Sequence, residues 1–84
     1  MKKAEQIWQA TLGELQLEMT QATFNTLLRG TRVVACEDGV FIIGVRNGYA
    51  KDWLESRLAP TVRRVLTRHA GRTVQVRFVV QDSP

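Results

Sequence analysis

The sequence predicts an α+β fold in which two helices, a β-hairpin, a third helical segment and a last strand follow one another. Three observations lead to this prediction. Apolar residues recur at three- and four-residue steps near the amino terminus, an Asp-Gly pair separates two apolar runs, and residues 73–80 alternate between apolar and polar. The order α-α-β-β-α-β suits one three-stranded sheet with helices covering one face. It leaves open whether the second and third strands are adjacent.

Two helices are predicted at the start of the chain. Residues 3–19 predict the first, because their apolar side chains share one helix face. Leu17 falls on the opposite face and is expected to be exposed. Thr20 is a suitable N-cap for a second, short helix, which should end near Gly30. The apolar face of the first helix consists of Ala4, Trp8, Leu12, Leu15 and Met19.

A β-hairpin is predicted next. Residues 31–36 are β-branched or apolar enough for a strand, and Asp38-Gly39 is a strong hairpin signal. Residues 40–45 are almost continuously apolar, which predicts a strand that is covered on at least one face. The alternating residues 73–80 then predict a half-buried third strand.

A long helical segment is predicted between the second and third strands. Asn47 is the expected N-cap, and Gly71 is the expected end of the segment. Pro60 lies inside the segment and cannot donate a backbone hydrogen bond to the preceding turn. The sequence therefore predicts either a kink, or one helix that ends at Leu58 and a second that starts near Pro60.

The chain has the size of one domain. Its 84 residues predict a single domain over residues 1–80, with residues 81–84 as a tail or the start of a linker. One cysteine and one histidine exclude an internal disulfide and a cysteine metal cluster. The sequence has neither an apolar run long enough for a membrane span nor the apolar core of a secretion signal, so we expect a cytoplasmic protein.

Positive charge is concentrated in the carboxy-terminal half. Residues 1–55 hold six Lys and Arg against seven Asp and Glu, whereas residues 56–81 hold six Arg and no acid. Such a run is either a solvated helix face or a patch that binds nucleic acid, for example single-stranded DNA, weakly and without sequence specificity. The candidate residues for that contact are Arg63, Arg64, Arg68 and Arg72.

The sequence does not predict an enzyme. It has no Ser, His and Asp arrangement, no phosphate-binding Gly loop and no metal-ligand spacing. Glu14 and Glu18 share a helix face away from the apolar side, which predicts solvated charge. His69 is expected near a helix carboxy terminus, and Cys36 is expected to pack in a strand. We therefore expect no catalytic residue, cofactor, metal or small-molecule substrate, and we interpret the chain as a binding module.

From about residue 5 to residue 80, the order and spacing of several motifs resemble the amino-terminal domain of the DnaA family of bacterial chromosome-replication initiators. The motifs are Ile7-Trp8-Gln9, Thr23-Phe24-Asn25, Leu27-Leu28 and Asn47-Gly48-Tyr49-Ala50-Lys51-Asp52-Trp53-Leu54. The last is the most specific, since the family pattern has Asn, an aromatic residue two positions later, and Trp. The resemblance implies either that initiator domain or a small stand-alone relative, with an α-α-β-β-α-β fold similar in outline to a KH domain.

The resemblance implies protein–protein assembly in the initiation of bacterial DNA replication. Members self-associate weakly, recruit the replicative helicase and bind regulators of initiation. The implied partner-binding residues are Tyr49, Thr23 and Asn47. Thr23 stands where some members carry an acid, so this chain lacks that charge. Helical geometry places Tyr49 about 140° from Leu54 around the helix, away from the buried face.

The resemblance also implies weak self-association through the first helix, at Trp8 and Ile7. Trp8 matches an aromatic residue that supports self-association in the family. The same residue lies in the middle of the apolar face of the first helix, which equally predicts a core position. Both interpretations of Trp8 remain open from the sequence.

Overall fold

The computed structural model describes residues 3–81 and confirms the predicted order of elements. The elements in this range are α1 (Lys3–Glu18), α2 (Gln21–Leu27), β1 (Arg32–Glu37), β2 (Val40–Val45), α3 (Gly48–Trp53), a π-helical turn (Leu54–Leu58), α4 (Ala59–Ala70) and β3 (Gln75–Val80). Apart from Gln81, the predicted tail or linker lies outside the described residues. The assignment of residues 1–80 to one domain stays a prediction.

Within residues 3–81 the strands form one mixed sheet in the order β1-β2-β3. β1 runs antiparallel to β2, and β3 runs parallel to β2. The helical segment therefore connects adjacent parallel strands, which answers the question that the sequence left open. The hairpin turn has positive φ at Asp38 (52°) and Gly39 (75°), as a type I′ turn requires. A β-bulge interrupts β1 between Val33 and Ala35.

The helical segment after β2 stays continuous past Pro60. Asn47 caps α3, since its Oδ1 accepts a hydrogen bond from the backbone N–H of Ala50 at 2.8 Å. Pro60 is near the start of α4, directly after the π-helical turn, and has no N–H to donate to the preceding turn. The predicted irregularity takes the form of the π-helical turn before it. Gly71 ends α4 with a φ of 79°.

The core lies between the sheet and the helices. α1 and α4 pack against each other, and they also pack against β1 and β3 respectively. Leu17 points away from this core and is 86% exposed, as predicted. Each helix within residues 3–81 falls short of the length and apolar character that a membrane span requires. The largest fully buried side chains are Trp8, Leu15, Leu28, Ile43, Leu54 and Leu66.

Candidate protein-binding site

An open groove of about 180 Å³ lies between α2 and α3. It brings together Thr23 and Tyr49, two of the predicted partner-binding residues, which belong to different helices. Leu27 is 3% exposed and closes the floor of the groove toward the core. This surface is termed the α2–α3 groove, and its lining consists of Ala22, Thr23, Thr26, Leu27, Tyr49 and Trp53.

Two exposed aromatic rings form the α3 wall of the groove. Tyr49 is 60% exposed, which confirms the predicted exposure, and Trp53 is 36% exposed. Their ring centroids lie 6.5 Å apart with the planes tilted by 53°, a favourable geometry for an aromatic pair. Arg57 Cζ lies 4.6 Å from the centroid of the Trp53 ring, in a cation–π contact. The three side chains therefore lie one after another along the helical segment, each in contact with the next.

The N-caps of α2 and α3 fix the positions of the predicted residues. Thr20 Oγ1 accepts a hydrogen bond from the Thr23 N–H at 3.1 Å, and its own hydroxyl donates to Thr23 Oγ1 at 2.9 Å. Asn47 uses its side-chain oxygen on the Ala50 N–H. That contact sets the start of α3 and therefore the position of Tyr49. A direct contact between Asn47 and a partner stays a prediction.

Arg46 positions the two walls of the groove, and the sequence analysis missed it. Its Nη2 donates to the backbone oxygen of Asn25 at 3.1 Å and lies 3.5 Å from that of Arg29. Carbonyl oxygens near the end of a helix favour a cation. Arg46 therefore ties the end of α2 to the junction between β2 and α3. No motif marks this contact, because the partners are backbone atoms distant in the sequence.

Trp8 lies in the core. Its side chain is 0% exposed, and the indole Nε1 donates to Thr31 Oγ1 at 3.1 Å. The Thr31 hydroxyl in turn donates to the backbone oxygen of Leu28 at 2.7 Å. Trp8 thus joins α1 to the connection between α2 and β1. Ile7, the other residue predicted for self-association, is only partly buried.

The arginines of α4 are divided between two environments. Arg64 Nη2 lies 2.9 Å from Glu18 Oε1, and Arg68 forms an ion pair with Glu14. His69 Nε2 lies 2.9 Å from Glu14 Oε1. This cluster of Glu14, Glu18, Arg64, Arg68 and His69 is termed the α1–α4 ion-pair cluster. Glu18 is exposed, as predicted for a solvated charge, and Glu14 is half-buried. The sequence did not predict the cations that α4 places opposite both carboxylates.

The other predicted nucleic-acid contacts lie apart from one another. Arg63 lines a pocket between α4 and β3, where its Nη1 is 3.5 Å from Gln75 Oε1. Arg72 lines a different pocket, together with Lys3 and Cys36. Cys36 is exposed, so the prediction that it packs was also wrong. Its pairing with Phe41 places it at the end of β1, beyond the bulge.

Comparisons with known proteins identify relatives of this chain. A family model described as the DnaA N-terminal domain matches residues 5–68. The chromosomal replication initiator protein DnaA of Roseiflexus castenholzii is 38% identical over 77 residues, which cover 92% of this chain and 16% of that protein. The protein of the same name from Chloroflexus aurantiacus is 36% identical over 77 residues, with the same two coverages. The chain spans 16% of the length of these relatives, and the matched range includes both walls of the α2–α3 groove.

Proposed function

The chain belongs to the DnaA N-terminal domain family, and from this premise we propose that it is a non-catalytic protein–protein interaction module in the initiation of bacterial DNA replication. The name shared by the two relatives describes a chromosomal replication initiator. The proposed partners are the replicative helicase or regulators of initiation. The proposed location is the bacterial cytoplasm, where the chromosome is replicated.

The exposed aromatic pair in the α2–α3 groove is the observation that carries this proposal. Aromatic residues often supply much of the binding energy at the centre of protein interfaces. Tyr49 and Trp53 are exposed beside an open groove whose opposite wall is the neutral helix α2. Thr23 contributes a hydroxyl rather than a charge. We therefore expect an apolar or aromatic side chain of the partner to enter between α2 and Tyr49.

The experiment is a binding measurement between the purified chain and the replicative helicase of its own host. Tyr49→Ala should weaken binding tenfold or more, because an anchor residue at the centre of an interface is removed. Leu17→Ala is the matched control, since it also removes a large exposed side chain but lies on α1, outside the groove. Equal affinities of Tyr49→Ala and the unmodified chain would contradict the assignment, as would equal losses in both variants.

Weak self-association through the amino-terminal part of α1 is a second element of the proposal. Ile7 is the residue available for direct contact there, since Trp8 is buried. Trp8 would then support a dimer by holding α1 in place. Sedimentation of Ile7→Ser over a concentration series should show less dimer than the unmodified chain. An unchanged monomer–dimer equilibrium would remove Ile7 from the interface.

Weak sequence-independent binding of nucleic acid is the less supported alternative. Two of its four candidate residues, Arg64 and Arg68, already face carboxylates in the α1–α4 ion-pair cluster. Binding of phosphates would have to compete with Glu14 and Glu18 for these guanidinium groups. Arg63 and Arg72 would remain, but they line different pockets.

A further inference from the structure

The two outer strands of the sheet differ in regularity. Within residues 3–81, β1 and β3 each have a strand neighbour on one side only. β1 carries the bulge at Val34, and it begins with Arg32 and ends with Glu37. Bulges and charges on an edge strand discourage pairing with another chain. β3 pairs with β2 in unbroken register from Gln75 to Val80, so its backbone is regular over its whole length.

The backbone of β3 offers unused hydrogen-bonding groups. The backbone N–H of Gln75 donates to the backbone oxygen of Gly39, and that of Gln81 donates to the backbone oxygen of Val45, each at 2.8 Å. Both N–H groups therefore point toward β2. Since the backbone groups of successive strand residues point to opposite sides, the alternate residues turn away from β2. These are Val76, Phe78 and Val80. Among residues 3–81, no backbone–backbone hydrogen bond reaches this side, which is termed the open edge of β3.

A groove adjoins the start of the open edge. Two pockets of about 350 and 230 Å³ share Pro60, Arg63 and Gln75 in their linings, so together they form one groove between α4 and β3. This surface is termed the α4–β3 groove. Thr67 and Thr73 add hydroxyl groups to its lining, and Glu55 is the acid at its other end.

The charges beside the open edge are mainly positive. Arg63 and Arg77 are exposed, and no carboxylate of residues 3–81 lies within 4.0 Å of either guanidinium group. The contact of Arg63 with Gln75 is long, at 3.5 Å. A guanidinium group binds a carboxylate through two parallel hydrogen bonds. The surroundings of β3 therefore favour an acidic ligand.

We propose that the open edge of β3 and the α4–β3 groove bind an extended acidic segment of a partner protein, which adds to the sheet as a further strand. Backbone hydrogen bonds to the open edge supply affinity, and alternate side chains of the segment supply specificity. One row of its side chains meets Arg63 in the groove, and the other lies beside Arg77 and Val79 on the outer face. A second copy of this chain is disfavoured, because pairing two β3 strands would bring like charges together. The inference is independent of the α2–α3 groove.

Fluorescence anisotropy with a labelled ten-residue peptide of alternating Glu and Val tests this proposal. The control peptide has the same composition except for one central Pro, which cannot pair as a strand. Arg63→Glu should weaken peptide binding tenfold or more. The matched control is Arg72→Glu, which makes the same change of charge in a different pocket and should leave the affinity within twofold.

A second variant tests the backbone contacts. Val80→Pro removes an N–H that faces the open edge and leaves the hydrogen bond from Gln81 to β2 in place. Its thermal unfolding should stay close to that of the unmodified chain, while the peptide affinity should fall at least threefold. Unchanged affinity in Val80→Pro would overturn the added-strand geometry.

Three further results would overturn the proposal. One is an equal loss of peptide affinity in Arg63→Glu and Arg72→Glu, which would indicate unspecific electrostatic attraction. Another is tighter binding of a ten-nucleotide oligothymidylate than of the peptide, which indicates a nucleic-acid ligand. The last is absence of peptide binding to the unmodified chain. Tyr49→Ala should bind the peptide normally, so failure of this inference and failure of the proposed function are distinguishable.

Discussion

The inner side of α1 and the α2–α3 groove each contain an aromatic residue that the sequence analysis predicted to take part in contacts with partners, yet the two surroundings differ. Trp8 on α1 is 0% exposed and donates a hydrogen bond to Thr31, whereas Tyr49 in the groove is 60% exposed. Glu14 and Glu18 on α1 are also paired, in the α1–α4 ion-pair cluster. Where the fold supplies a partner for a side chain, that side chain stabilises the domain. Where the fold leaves it exposed, the side chain is available for another protein.

The lengths of the helices explain this difference. α1 has 16 residues and α4 has 12, so they lie against each other over several turns. Glu14 and Glu18, four residues apart, therefore meet Arg68 and Arg64, which are also four residues apart. α2, which faces α3 across the groove, has only seven residues and leaves Tyr49 and Trp53 uncovered.

The largest loss of stability is expected for substitution of Trp8, the buried aromatic residue. Trp8→Ala should lower the free energy of unfolding by about 3–5 kcal/mol, since it removes a fully buried aromatic side chain and leaves a cavity. Urea denaturation followed by circular dichroism measures this loss. Trp8→Phe, which keeps most of the volume but removes the N–H donor, should lose less and remain folded. A loss below about 1 kcal/mol in Trp8→Ala would mean that Trp8 is not a core residue.

A smaller loss of stability is expected for substitutions in the α1–α4 ion-pair cluster. Glu14→Gln removes the carboxylate that faces both Arg68 and His69, and it should lower the free energy of unfolding by about 0.5–1 kcal/mol. The loss should shrink at high salt, which screens the interaction. Glu37→Gln is the matched control, since within residues 3–81 it has no cation within 4.0 Å. Equal losses in the two variants would show that only net charge matters.

The smallest effect on stability is expected in the α2–α3 groove. Tyr49→Ala should change the free energy of unfolding by less than about 1 kcal/mol, because the side chain is exposed and its main aromatic neighbour is Trp53. The same urea experiment measures it. A loss comparable to that of Trp8→Ala would show that Tyr49 is a structural residue, and the contrast between the two regions would no longer hold.

Local signals in the sequence were sufficient for most of the fold. Asp38-Gly39 and Asn47 bracket β2, and for this reason its predicted bounds, residues 40–45, agree with the structure. The first strand was predicted from residue 31, but β1 begins at Arg32. The Thr31 hydroxyl instead bonds to Trp8 and Leu28, contacts that only the tertiary structure creates.

The candidate site was less predictable. Helical periodicity predicted that Tyr49 is exposed, because exposure of a helical residue follows from the positions of its apolar neighbours. The pairing of Glu14 with Arg68 was not predictable, since it depends on two helices that are distant in the sequence becoming neighbours. The contact of Arg46 with α2 depends in the same way on the packing of distant elements. Long-range contacts of this kind carry no local signal.

The most direct test of the central claim uses the two tryptophans of the chain, Trp8 and Trp53. Each contributes one indole N–H signal to a ¹⁵N–¹H correlation spectrum, and the two can be assigned with Trp53→Phe. The unlabelled host replicative helicase is then added to the ¹⁵N-labelled chain. A shift or broadening of the Trp53 signal well beyond that of Trp8 is the result that the binding role of the α2–α3 groove predicts. A response of Trp8 with an unperturbed Trp53 would contradict it.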